Sequence, residues 1–94
     1  MTNKAASPGA ERVLAILRQR DGVETIVRLS NRLTYKVLNI AWGQDMNDPE
    51  FHITTNISPP VPGSTTDFFT TDSVVEILDP GSGQVLFGRR LTSA

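Results

Sequence analysis

Asp21-Gly22-Val23-Glu24-Thr25-Ile26-Val27-Arg28-Leu29 is the stretch that decides the fold. Before it, apolar residues recur at helical spacing; within it, they alternate. Val23, Thr25, Val27 and Leu29 fall on one side of an extended chain, and Glu24, Ile26, Arg28 and Ser30 on the other. Val23, Ile26 and Val27 also share a helical face, so residues 23–30 admit a second helix. The density of β-branched side chains favours a strand. Asp21-Gly22 supplies the stop, because Gly22 can take the left-handed conformation that closes a helix.

Upstream, Ser7-Pro8 reads as a helix start, with Ser7 as N-cap and Pro8 where its missing N–H costs nothing. Ala10, Val13, Leu14 and Leu17 form one face, widened by Ile16, and predict a helix over about residues 8–20. Glu11 sits in the first turn and Arg18 and Arg20 near the last, each complementing the helix dipole. Residues 1–6 lack apolar periodicity and are expected to be a disordered tail, leaving 7–92 as one domain.

Downstream, Ser30-Asn31 signals a turn. Leu33 to Trp42 is a long β-like run, apolar on both faces toward its end. Such a strand is either central in a sheet or crosses from one core to another surface. Gly43 to Pro49 is a loop. Phe51, Ile53, Thr55 and Ile57 then alternate with His52, Thr54 and Asn56. Ser58 to Thr66 holds three prolines and reads as an irregular excursion, with Pro59 to Pro62 offering a P-x-x-P spacing that is common in loops. Phe68 to Leu78 is β-like with a break near Asp72-Ser73. Val74–Leu78 is expected to pair with 85–89 across the turn Asp79-Pro80-Gly81-Ser82-Gly83. Asp79 to Leu86 is locally similar to the closing hairpin of PepSY-type domains, which also place a helix ahead of a small sheet. The likeness covers about eight residues and implies no functional residue. The expected class is α+β: one N-terminal helix packed on a roughly five-stranded antiparallel sheet, two-layered or curled.

Composition narrows the chemistry. Ninety-four residues with 38% hydrophobic and 20% charged side chains suit one small domain. There is no cysteine, which excludes disulfides, thiolate nucleophiles and cysteine-held metals. No apolar run reaches the 18 or so residues of a bilayer span, and the N-terminus has no signal-peptide core. A cytoplasmic protein without membrane contact is expected.

Charge is unevenly placed. Residues 1–36 carry Lys4, Arg12, Arg18, Arg20, Arg28, Arg32 and Lys36 against Glu11, Asp21 and Glu24. Residues 37–88 contain no Lys or Arg and seven carboxylates: Asp45, Asp48, Glu50, Asp67, Asp72, Glu76 and Asp79. Either the two halves neutralise each other inside the fold, or Arg12, Arg18, Arg20, Arg28, Arg32 and Lys36 form a basic surface for nucleic acid or an acidic partner. Internal neutralisation is the more economical reading for a chain of net charge −1.

No catalytic constellation is legible. His52 is the sole histidine and lacks a recognisable nucleophile signature, so a polar strand face is its expected place. Asp45-Met46-Asn47-Asp48-Pro49-Glu50 has calcium-like ligands, but Glu50 and Asn56 stand where a calcium loop needs Gly and Glu. Gly81-Ser82-Gly83 lacks phosphate-loop spacing. The expectation is a non-enzymatic interaction or regulatory domain, without cofactor or metal, binding another protein or a second copy of itself as a homodimer. Trp42, Phe51, Phe68 and Phe69 are the candidate apolar anchors. A nucleic-acid binder, and an enzyme or ligand carrier with a helix–sheet pocket, are the alternatives.

Overall fold

The computed structural model describes residues 6–57 and 62–88. Residues 1–5 of the expected 1–6 tail, residues 58–61 of the proline-rich excursion and the end of the last expected strand, 89–91, lie outside these residues.

Helix α1 spans Pro8–Gln19. Ser7 caps it, its hydroxyl accepting from the Ala10 N–H, and the same hydroxyl donates to Glu50 at 3.0 Å. Ala10, Val13, Leu14 and Leu17 are its buried face, as the spacing predicts. The chain turns through Arg20 and Asp21 to Gly22, which has φ +84°.

Among the described residues seven strands follow: β1 Thr25–Leu29, β2 Thr34–Val37, β3 Ile40–Gly43, β4 His52–Thr55, β5 Phe68–Thr70, β6 Val74–Leu78 and β7 Val85–Gly88. A 3-10 turn, Thr71–Ser73, separates β5 from β6. Residues 25–29 are strand, which settles the helix alternative. The architecture is α+β, but the strands form two antiparallel sheets rather than one of about five strands: β2-β1-β6-β7 and β3-β4-β5.

The difference arises at Leu38-Asn39. The Leu33 to Trp42 run is not one strand; it leaves the four-stranded sheet after Val37 and enters the three-stranded sheet at Ile40. Asn56 holds the crossing. Its Oδ1 accepts from the Leu38 N–H at 2.8 Å, and its Nδ2 donates to the carbonyls of Lys36 at 3.0 Å and Thr65 at 2.9 Å. Its own N–H donates to the Asn39 carbonyl at 2.7 Å. Asn56 is buried at φ +61°, a left-handed conformation that asparagine tolerates better than most residues. It therefore does not continue the polar face of β4 with His52 and Thr54.

Registers fix which side chains meet. Thr25, Val27 and Leu29 share the inner face of the four-stranded sheet with Tyr35, Val37, Val74 and Ile77, and Phe87 joins them opposite Ile77. Ile53 and Phe69 are paired on the inner face of the three-stranded sheet. Both faces contribute to one core with Val13, Leu14 and Leu17 of α1. The Tyr35 ring stacks on Phe69 with centroids 6.0 Å apart, joining the sheets directly. Helix α1 packs on the 3-10 turn and β7. The expected β6–β7 hairpin forms, with Ile77 opposite Phe87 and Leu78 opposite Val85.

Candidate interaction surface

The four aromatic anchors separate into two pairs. Phe69 is 4% exposed, and Phe51 packs half-buried against the core. Both belong to the interior, because Phe51 follows the inward parity of Ile53 and Phe69 is directly opposite Ile53. They are withdrawn as surface anchors. Phe68 is 62% exposed and Trp42 is 45% exposed.

Phe68 lies on the outer face of the three-stranded sheet, in the row Ala41, Thr54, Phe68, beside the row Gly43, His52, Thr70. The His52 ring is tilted against it at 6.1 Å. His52 Nε2 stands 3.3 Å from Asp45 Oδ1 without hydrogen-bond geometry, and this buried atom has no hydrogen-bond partner among the described residues. Gly43 lies opposite His52, and a Cβ there would stand 3.3 Å from the imidazole. Trp42 is on the inner face but at the sheet edge, where the Arg18 guanidinium of α1 covers its ring at 4.8 Å.

Both edges of this sheet carry unspent backbone groups. The Thr55 N–H donates to Asp67, and the Thr71 N–H donates to Phe51. Antiparallel pairing alternates, so Phe68 and Thr70 direct their N–H and C=O groups away from β4. By the same alternation from Asn56–Asn39, Ile40 and Trp42 direct theirs away from β4 on the opposite edge. None of these outward groups has a hydrogen-bonded partner among the described residues.

The six candidate cations are not one patch. Arg20 is committed to the fold: Nε donates to Thr25 Oγ1 at 2.7 Å, and Nη2 reaches the Glu24 carbonyl and the Asp79 carboxylate at 3.2 Å. Arg28 pairs with Glu76 at 3.1 Å from directly opposite strand positions, and Lys36 lies 3.9 Å from Glu24. Arg12 and Arg18 are exposed on α1, and Arg32 occupies the β1–β2 turn at φ +73°. Three of the six thus meet carboxylates within the chain.

Asp79 anchors the β6–β7 turn. Its Oδ1 accepts from the N–H groups of Gly81 at 2.7 Å and Ser82 at 3.3 Å. Those backbone donors, with Arg20 behind them, hold its carboxyl below the ordinary value. A depression of about 440 Å³ opens to solvent beside Val23, Glu24, Asp79, Pro80 and Gly81. The Asp45–Glu50 segment forms a turn with Asn47 at φ +67°, stapled by Gln44 Nε2 donating to the Asp48 carbonyl. Among the described residues no three His, Asp or Glu side chains gather to hold a metal ion, and no helix is long and apolar enough to cross a membrane.

Scans against protein-family models, curated proteins and solved structures return no match for this chain.

Proposed function

We propose that this chain is a small non-enzymatic interaction domain that binds another protein through its three-stranded sheet. One observation carries the reading: each edge strand of that sheet combines outward-facing backbone groups with an exposed aromatic, Trp42 on β3 and Phe68 on β5. Exposed edge strands template pairing with a further strand, and aromatic side chains dominate interface energetics. The four-stranded sheet differs in its charges, which pair on its outer face through Arg28–Glu76 and Lys36–Glu24. Those pairs, with Arg20–Asp79, weigh against a nucleic-acid surface, which needs uncommitted cations. The proposed setting is the cytoplasm, in keeping with the cysteine-free composition.

Photo-crosslinking tests the proposal. A benzophenone side chain is placed in turn at positions 42, 68 and, as a control, 12. A discrete adduct with another protein is expected from position 42 or 68 and not from 12. No discrete adduct from either sheet position, or the same adducts from all three, would sink it.

A further inference from the structure

The two edges of the three-stranded sheet differ in charge, and this difference specifies a partner. Resting on the interaction reading above, we infer that the β5 edge receives an extended, basic segment of another protein as an added strand.

The backbone of Phe68 and Thr70 offers two N–H donors and two carbonyl acceptors facing away from β4, the pattern an incoming strand needs. Phe68 supplies apolar contact on the outer face. The surroundings are acidic. Asp67 and Asp72 flank β5 at its two ends, and Asp45 stands beyond His52, which itself contacts Phe68. Among the described residues, Asp67 and Asp72 accept from the neighbouring hydroxyls of Thr65 and Thr70 and form no ion pair. No Lys or Arg occurs between residues 37 and 88. An incoming strand with Lys or Arg near its two ends places cations beside these flanking carboxylates while its backbone pairs with β5.

The same charges argue against a second copy. Two-fold antiparallel pairing centred on Phe69 would bring the Asp67 end of one β5 to the Asp72 end of the other, twice over. Like charges so placed are a usual means of blocking edge-to-edge association. The β3 edge lacks this polarity, since Arg18 and Asp21 lie together beside Ile40 and Trp42.

The test is a titration of the isotope-labelled full chain with an acetylated, amidated Lys-Val-Lys-Val-Lys-Val peptide, followed by amide chemical shifts. The Phe68 and Thr70 amides are expected to move, with Kd on the order of 1 mM for so short a ligand. The Glu-Val-Glu-Val-Glu-Val counterpart is expected to leave them unchanged. Asp67→Asn with Asp72→Asn should weaken the Lys-Val peptide on the order of tenfold. Thr70→Pro removes an outward N–H and should abolish docking. Equal response to both peptides, movement at Ile40 and Trp42 instead, or no response would overturn the inference. Crosslinking from position 42 alone, with silent Phe68 and Thr70 amides, would leave the interaction reading standing and remove this one.

Discussion

Phe68 and Phe69 are adjacent in sequence and opposite in consequence. One projects from the outer face of the three-stranded sheet; the other is packed beneath it between Ile53 and Tyr35. The contrast extends to the two sheets. On the four-stranded sheet, outward charges meet partners across the strands. On the three-stranded sheet, edge backbone groups face outward, and Asp45, Asp67 and Asp72 flank the strands without a Lys or Arg partner among the described residues. Charges that meet within the fold are explained by folding alone, and those that do not are where binding is sought.

The sharpest way to break this contrast is to truncate the two phenylalanines separately. Phe69→Ala leaves a cavity at the sheet–sheet contact and should cost about 4 kcal/mol in urea unfolding. Phe68→Ser should change stability by less than about 0.5 kcal/mol, because its side chain is mostly in water already. Comparable losses would mean that Phe68 is structural and that the outer face is not available.

The next largest effect is expected at the crossing between sheets. Asn56→Ala strands the Leu38 N–H and the Lys36 and Thr65 carbonyls and keeps a left-handed backbone, at about 3 kcal/mol. Asn56→Gly removes the conformational part and should recover roughly 1 kcal/mol of that loss. If glycine were as stable as wild type, the amide network would carry no energy.

Smaller effects belong to the self-satisfied sheet. A double-mutant cycle on Arg28→Ala and Glu76→Ala should give a coupling of about 0.5 kcal/mol, since the pair is half in solvent. A coupling several times larger would make that face structural in a stronger sense than packing shows. The smallest effect is a pH dependence at Asp79. Its folded carboxyl lies below the ordinary value of 3.8, so its contribution to stability is complete above that pH and is lost as pH falls through the lower folded value. Wild type should exceed Asp79→Asn in stability near neutrality, and thermal melts should show the gap narrowing below about pH 4. A gap that stays constant into acid would mean that the charge on Asp79 is irrelevant to the turn.

The helix was legible because capping and periodicity are local: Ser7, Pro8 and the Ala10, Val13, Leu14, Leu17 face act within a few residues of one another. The β6–β7 hairpin was legible for the same reason, its turn residues lying between the strands they join. The division into two sheets was not. Leu33 to Trp42 offers apolar side chains on both faces, and that pattern suits a central strand as well as a strand that changes sheets. What distinguishes them is Asn56, 17 and 18 residues away from its Asn39 and Leu38 partners, a contact that periodicity cannot express. Part of the surface was within reach. Neighbouring residues on a strand face opposite ways, so Phe68 and Phe69 could not both be anchors on one face. Phe51 shares parity with the buried Ile53. The outward backbone groups were illegible, because they depend on which strands end each sheet.

The position of Asn56 also bears on the order of assembly. Its side chain spans β2, the crossing and the loop before β5, so its bonds are complete only when these three segments have met. Bonds that join segments so distant in sequence are expected to form after the folding barrier. Loss of its amide should therefore accelerate unfolding far more than it slows refolding, making this asparagine a determinant of how long the native chain persists rather than of how fast it is reached.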